Sequence, residues 1–194
     1  MIKFHGPDKL KTAVFISGNG SNFKNLVKFS HSKASPIKIN LLISSNSKAK
    51  GLIYARQKKI KRKIFKLKNK IKDENKILNQ LDKSSIKLIC LAGFMVILSQ
   101  NFIKKFKGQI LNIHPSLLPK YKGLNTHKRA IENNEKYSGC TVHLVTSKLD
   151  SGKIILQKKV KINKNDKPKT LAKKILKQEH ILYPKAIKKI FFNL

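Results

Sequence analysis

An asparagine and a histidine lie two residues apart at the end of an apolar segment, in the run QILNIHPSLLP at residues 109–119. Side chains i and i+2 of a strand share a face, so Asn112 and His114 are predicted to point the same way, and Pro115 ends the strand because it has no N–H. An amide can donate a hydrogen bond, an imidazole can act as acid, base or cation, and ligands bind at the carboxyl ends of strands in open α/β sheets. The pair is a candidate reaction centre. The alternative is a core histidine beside a turn.

A second candidate is the glycine-containing turn SGNGSN at residues 17–22. Glycines let a turn bring backbone N–H groups close to an anion, and a following helix N-terminus adds partial positive charge. The turn lacks the Lys-Ser/Thr of a P-loop and the full GxGxxG spacing, so a phosphomonoester suits it better than a dinucleotide. The alternative is an ordinary tight turn with an Asn or Ser cap.

Short apolar segments alternate with longer amphipathic ones along the chain, which predicts an α/β fold with a mostly parallel central sheet and helices on both faces. The predicted strands are 12–17, 37–43, 60–65, 88–92 and 109–113, followed by two neighbouring strands at 139–146 and 154–160. The predicted helices are 22–29, 49–58, 73–81 and 170–191. A charged segment at 66–72 is predicted to be a mobile loop, and residues 1–194 are predicted to form a single domain.

The formal net charge of +35 suggests nucleic-acid binding, but only three of the 44 basic residues are arginines and the lysines are scattered along the whole chain. Specific recognition of phosphates and bases usually recruits arginine, because its planar fork donates two parallel hydrogen bonds. A chain rich in Lys, Ile and Asn is typical of A+T pressure on codons. We expect no specific nucleic-acid partner, only nonspecific attraction to polyanions at low salt.

The composition also bears on location and cofactors. No apolar run approaches the roughly 20 residues that span a bilayer, and the N-terminal segment is too polar for a signal peptide. We therefore expect a cytoplasmic protein without a membrane partner. Cys90 and Cys140 lie in apolar segments with no CxxC spacing, which predicts buried free thiols and no metal site.

Five segments, in this order, closely resemble the phosphoribosylglycinamide formyltransferase family over almost the whole chain. They are SGNGSN (17–22), LAGFMVILS (91–99), NIHPSLLPKYKGLNTH (112–127), GCTVHLVTSKLDSGKIILQ (139–157) and QEHILYP (178–184). The resemblance implies a Rossmann-like formyltransferase fold. It also implies transfer of a formyl group from the co-substrate 10-formyltetrahydrofolate to the amine of 5′-phosphoribosylglycinamide, also called glycinamide ribonucleotide, in purine biosynthesis.

The resemblance assigns roles to residues by position. Asn112, His114 and Asp150 fall on the family's catalytic trio, in which the amide and a protonated imidazole stabilise an oxyanion and the carboxylate favours the imidazolium and orders a water. Glycinamide ribonucleotide is assigned to Gly20, Ser21, Asn22 and Glu179. The folate is assigned to Lys70, Met95, Val96, Ile97, Leu98 and again Asn112. From the residues alone, Asp150 could equally be a turn residue, Glu179 a helix residue in a salt bridge, and 95–98 a packed turn.

Four positions depart from the family's usual pattern. Val96 replaces an arginine, Lys70 stands near an expected arginine, and Lys122 and Asn125 replace the Pro and His of KYPGLHTH. These departures affect the expected folate affinity and leave the trio intact. The alternatives are a formyltetrahydrofolate hydrolase, a methionyl-tRNA formyltransferase and a nonenzymatic anion-binding protein, and both monomer and homodimer remain open.

Overall fold

The computed structural model describes residues 9–192, so the polar N-terminal segment used above to argue against a signal peptide lies largely outside the described residues. The strands are β1 (Leu10–Ile16), β2 (Ile37–Ser44), β3 (Lys61–Ile64), β4 (Leu88–Leu91), β5 (Gln109–His114), β6 (Tyr137–Leu144) and β7 (Ile154–Lys161). The helices are α1 (Ser21–Ser30), α2 (Gly51–Gln57), α3 (Lys70–Lys83), α4 (Gln100–Lys105), α5 (Thr126–Glu132) and α6 (Pro168–Phe192).

The strands form one seven-stranded sheet in the order β3-β2-β1-β4-β5-β6-β7. β1 pairs in parallel with β2 and β4, and β2 pairs in parallel with β3, whereas β7 runs antiparallel to β6. The predicted α/β class with a mostly parallel sheet is confirmed. The chain divides into two compact units, one up to Leu111 and one from Asn112 onward, and the single domain stays a prediction.

The first unit is organised around β1, whose apolar residues are fully buried between its two neighbouring strands. The ring of Phe15 packs edge-on against Phe94 and Phe102, with centroid distances of 5.3 and 6.4 Å. Helix α1 buries Phe23 and Leu26 on one face, as its periodicity predicts. Each such side chain stabilises the unit by roughly 1.5–3 kcal/mol through burial.

The second unit consists of the β6–β7 pair, which α6 covers, and of α5, which packs on both α6 and β6. The buried stripe of α6 includes Leu171, Ile175, Tyr183 and Ile187, which are spaced four or eight residues apart, as expected for one face of a helix. The helix continues through Pro184 and agrees with the predicted closing helix at 170–191.

One local prediction was wrong in part, and one helix was not predicted. The segment 66–72 is not all loop, since α3 begins at Lys70, where the side chain of Asn69 accepts a hydrogen bond from the N–H of Lys72. This is ordinary N-capping, which apolar periodicity does not indicate. Helix α5 was also missed because it buries only Thr126 and Ala130 and so carries almost no apolar pattern.

Cys90 and Cys140 are buried free thiols, as predicted. Burial, together with the charge of Glu179, raises the pKa of the Cys140 thiol to about 12. The thiol is therefore protonated and unreactive at neutral pH. No helix within residues 9–192 combines the length and hydrophobicity that crossing a membrane requires.

Candidate active site

The end of β5 presents Asn112 and His114 side by side, as the two-residue spacing predicts. His114 is only 6% exposed, while Asn112 is half-buried. Ile113 between them is buried as well. The two residues close the strand at its carboxyl end, and their i, i+2 spacing places both side chains on one face.

The imidazole of His114 is held between a backbone carbonyl and a carboxylate. Its Nε2 lies 2.8 Å from the carbonyl oxygen of Tyr121, and its Nδ1 lies 3.4 Å from Oδ2 of Asp150. A carbonyl oxygen only accepts hydrogen bonds, so Nε2 carries the proton. The neutral ring therefore has its lone pair on Nδ1, facing the carboxylate.

Asp150 completes the predicted trio within the second unit. Its Oδ2 accepts a hydrogen bond of 2.9 Å from the N–H of Gly123, and its Oδ1 lies 3.5 Å from Nδ2 of Asn112. The backbone of Asp150 has a φ of +44°, in the left-handed region that Asp tolerates better than most residues. Asp150 is therefore both a turn residue and a catalytic candidate, and the two interpretations do not exclude each other.

Burial dominates the electrostatics of His114. It lowers the pKa of the ring below the ordinary 6.5 and outweighs the hydrogen bond to Tyr121 and the charge of Asp150, both of which raise it. Asp150 does favour the imidazolium, as expected, but the free protein holds His114 neutral at pH 7. Burial raises the pKa of Asp150, but the contacts with His143, Gly123 and His114 together lower it by a larger amount. The net pKa therefore lies below its ordinary value.

A second histidine, His143 on β6, belongs to the same cluster and was not singled out from the sequence. It is 2% exposed, its Nδ1 donates to the carbonyl of Leu144 over 2.8 Å, and its Nε2 lies 3.2 Å from Nδ2 of Asn112 and 3.6 Å from Oδ1 of Asp150. The β6–β7 register shifts between Val142 and His143, an irregularity of the kind that re-aims side chains near active sites. Alternation in the sequence does not mark it, because every residue of β6 from Ser138 to His143 is buried.

The loop after His114 is held by side chains from β6 and β7. Oγ1 of Thr141 donates to the carbonyl of Ser116 and accepts from the N–H of Leu118, over 2.6 and 3.1 Å. Nε2 of Gln157 donates to both Thr141 and the carbonyl of Leu118. These bonds satisfy the backbone of the loop that carries Tyr121.

The predicted phosphate turn lies in the first unit. Gly20 has a φ of +70° and caps α1, and a Cβ there would lie 3.0 Å from Cα of Gly51. Within the described residues no side chain caps α1 and its first turn has no acidic residue. The backbone N–H groups at Ser21 and Asn22, together with the helix dipole, thus form a local environment suited to an anion.

The segment proposed to hold the folate is tied to this turn through Ser17. The N–H of Ser17 donates to the carbonyl of Gly93, and its Oγ accepts from the N–H of Met95 over 2.8 Å. Met95 and Ile97 are 66% and 59% exposed, whereas Leu98 is buried. Two exposed apolar side chains on a pinned backbone suit the flat face of a heterocycle.

The remaining residues assigned to the two substrates are Lys70 and Glu179. Lys70 is the exposed first residue of α3, and Glu74 on the same helix accepts from the N–H of Ser99, which directly follows the apolar segment. Glu179 is a buried residue of α6 close enough to influence Cys140. Among residues 9–192, no group of three or more His, Cys, Asp or Glu side chains is arranged to hold a metal ion.

The site thus combines an imidazole–carboxylate pair with an amide donor on an α/β sheet. The chain that carries it also matches a known protein family. The family described as formyl transferase matches residues 10–187, so the chain belongs to it. The phosphoribosylglycinamide formyltransferase of Haemophilus influenzae is 42% identical over 181 residues, covering 92% of this chain and 85% of that protein. The solved phosphoribosylglycinamide formyltransferase of Brucella melitensis has a TM-score of 0.89 and 42% identity, covering 94% of this chain and 96% of the other.

The trifunctional purine biosynthetic protein adenosine-3 of Homo sapiens is 39% identical over 182 residues, which are 92% of this chain but 18% of that longer protein. Within the formyl transferase family, the chain groups with the phosphoribosylglycinamide formyltransferases.

Proposed function

We propose that this protein transfers the formyl group of 10-formyltetrahydrofolate to the amine of glycinamide ribonucleotide in purine biosynthesis. The observation that carries the proposal is the cluster of Asn112, His114 and Asp150 within 3.5 Å contacts, in a chain that belongs to the formyltransferases. Family membership supplies the reaction class, and the cluster supplies the groups that the reaction needs.

The reaction needs a hydrogen-bond donor for developing negative charge. The nucleophilic amine attacks the formyl carbon, a new C–N bond forms, and the carbonyl oxygen becomes an oxyanion. Nδ2 of Asn112 lies 3.2 Å from His143 and makes only a long contact of 3.5 Å with Asp150, and in our proposal the oxyanion replaces Asp150 as the acceptor of that second hydrogen. Loss of one such preorganised donor costs roughly 2.7–4 kcal/mol of transition-state stabilisation.

The reaction also moves one proton from the attacking amine to the departing folate nitrogen. In our proposal Nδ1 of the neutral His114 accepts the amine proton, since Nε2 already carries a hydrogen, and the resulting imidazolium is stabilised by the carboxylate of Asp150 at 3.4 Å. The C–N10 bond then breaks, N10 takes the proton, and His114 returns to its neutral form. In this proposal the imidazolium that stabilises the oxyanion forms during the reaction, because burial favours the neutral ring beforehand.

The substrate contacts remain proposals. The backbone at Gly20, Ser21 and Asn22 binds the phosphate of the ribonucleotide, and Glu179 binds another part of that substrate. The folate lies against Met95, Val96, Ile97 and Leu98, with Lys70 attracting its anionic tail. Folate is the only cosubstrate proposed, without a metal; the protein is proposed to act in the cytoplasm, as a monomer or homodimer.

The test uses the purified full chain with glycinamide ribonucleotide and 10-formyltetrahydrofolate, and follows release of tetrahydrofolate with and without the amine acceptor. We expect release only with the acceptor, and a loss of roughly 10²–10⁴-fold in turnover for His114→Ala. His31→Ala is the matched control, since His31 is an exposed histidine at the end of α1. Release without acceptor contradicts the proposal and indicates a hydrolase, and a folded His114→Ala variant with normal turnover contradicts the assignment.

A further inference from the structure

Arg129 on α5 reaches back to the loop that precedes its helix. Its Nη1 donates to the carbonyl of Lys122 over 2.7 Å and approaches the carbonyl of Leu124 at 3.4 Å. Its guanidinium also lies over the ring of Tyr121, 5.2 Å from the centroid. One side chain thus contacts three of the four residues from 121 to 124.

The same loop supplies two backbone contacts to the proposed catalytic pair. The carbonyl of Tyr121 accepts from Nε2 of His114, and the N–H of Gly123 donates to Oδ2 of Asp150. The tautomer of His114 and the orientation of Asp150 therefore both depend on the position of this loop. A small displacement would leave Nε2–H without its acceptor.

The loop conformation needs support from outside the loop. Tyr121, Gly123 and Asn125 have φ values of +56°, +76° and +57°, all in the left-handed region. That region is unfavourable for a tyrosine, and such backbones persist only where the surroundings fix them. A second anchor is Glu135, whose Oε1 accepts from the hydroxyl of Tyr121 over 2.8 Å.

We propose that Arg129 is a positioning residue for formyl transfer, which holds the 121–124 loop so that its backbone fixes the reactive tautomer of His114 and the orientation of Asp150. The inference rests on the proposed function, because it assigns Arg129 a role in that reaction. Within residues 9–192, the side-chain hydrogen bonds of Arg129 go to Lys122 and Leu124 and not to His114 or Asp150. The charge of Arg129 lowers the pKa of His114 directly, whereas its effect on the tautomer and on the orientation of Asp150 is transmitted by the loop backbone.

The test compares Arg129→Met and Arg129→Lys with Lys128→Met, a control on the same helix whose side chain is 65% exposed. The first readout is the tautomer of His114, measured by ¹⁵N NMR in the substrate-free protein. Asp150, His143, His127 and Arg129 are the charged or titratable groups that influence this ring or are influenced by it, so spectra are compared at one pH where the ring is neutral. The second readout is kcat and KM for both substrates.

We expect Arg129→Met to lose the exclusive Nε2–H tautomer and to lower kcat roughly 10- to 100-fold, with KM values nearly unchanged, because the geometry of the reacting groups is lost. Arg129→Lys keeps the charge but not the stacked, branched donor, so it should show a smaller loss in both readouts. Lys128→Met should match the wild type.

A wild-type tautomer in Arg129→Met overturns the proposal, whether or not kcat falls, and so does an altered tautomer with normal kcat. If Arg129→Met does not fold, Arg129→Lys decides by the same criteria. The tautomer is measured without substrate, so absence of formyl transfer in the wild type would refute the proposed function without affecting the test of the loop.

Discussion

Nε2 of His114 donates a hydrogen bond of 2.8 Å to the backbone carbonyl of Tyr121, and this bond determines which ring nitrogen can accept a proton. The Nδ1 lone pair then faces Asp150 at 3.4 Å. A carboxylate beside Nδ1 stabilises the ring only after it has taken a proton, so the carboxylate favours the protonated form of the ring while burial favours the neutral form.

The pH dependence of turnover follows from that neutral ring. Burial lowers the pKa of His114 below 6.5, and only the neutral ring accepts a proton, so kcat/KM should rise with pH through a limb centred below 6.5 and be level at neutral pH. Steady-state rates between about pH 4.5 and 8 measure this limb, since titration of one group spans roughly two pH units. His114→Gln should lack it. A rate that falls as the pH rises through this range would show instead that the imidazolium is the active form.

Replacing Asp150 with asparagine should separate charge from shape. The amide oxygen of the variant can still accept from the N–H of Gly123, so the fold should hold. The imidazolium of His114 loses its carboxylate, so turnover should fall roughly 10²–10⁴-fold and the pKa of His114, measured by NMR, should fall further. Asp82→Asn, an exposed residue of α3, is the control.

Acid unfolding gives an independent check of the same carboxylate. The pKa of Asp150 in the folded chain lies below its ordinary 3.8, so its contribution to stability is fully present above that value and is lost as the pH falls through the folded pKa. Asp150→Asn should therefore lose stability less steeply than the wild type at acid pH. Equal slopes in denaturant titrations below pH 4 would contradict the shift.

Local sequence patterns were sufficient to predict the site residues where a short apolar strand ends in polar side chains. The spacing of Asn112 and His114 gave both their common direction and their place at a strand end, because β5 is short and ends at a proline. Fully buried strands such as β4 were also predictable from their apolar run.

His143 and Arg129 could not be found in the same way. Every residue of β6 from Ser138 to His143 is buried, so alternation does not mark one face as functional, and a register irregularity sets the direction of His143. Arg129 acts on a loop whose left-handed residues include a tyrosine, a conformation that no residue preference predicts. These contacts depend on tertiary structure.

The phosphate turn should tolerate a methyl group at one glycine and not at the other. Gly20→Ala places a Cβ 3.0 Å from Cα of Gly51 at a φ of +70°, so we expect a loss of roughly 1–2 kcal/mol in stability and a raised KM for glycinamide ribonucleotide. Gly18→Ala is the matched control, since its Cβ meets nothing within 4 Å. Denaturant titration and KM measurements test the pair. Equal KM values in the two variants would argue against phosphate binding at Gly20.

Glu74 should influence the folate through the segment that it anchors. The carboxylate is 3% exposed, accepts from the N–H of Ser99 over 2.8 Å and also accepts from its hydroxyl, while that hydroxyl caps α4 by accepting from Phe102. Glu74→Ala leaves the Ser99 N–H without this acceptor, which should cost roughly 1–3 kcal/mol of stability.

Since Ser99 directly follows Leu98, loosening this anchor should raise KM for 10-formyltetrahydrofolate several-fold, on the order of 1 kcal/mol of binding, and leave KM for glycinamide ribonucleotide unchanged. Asp82→Ala on the exposed face of the same helix controls for a general effect on α3. If both KM values rise together, Glu74 supports the unit as a whole and the segment at 95–98 loses its assignment to the folate. A rise in KM for 10-formyltetrahydrofolate alone would connect the buried carboxylate of Glu74 to folate binding through Ser99. Direct contact of the folate with the exposed Met95 and Ile97 would not by itself explain such an effect.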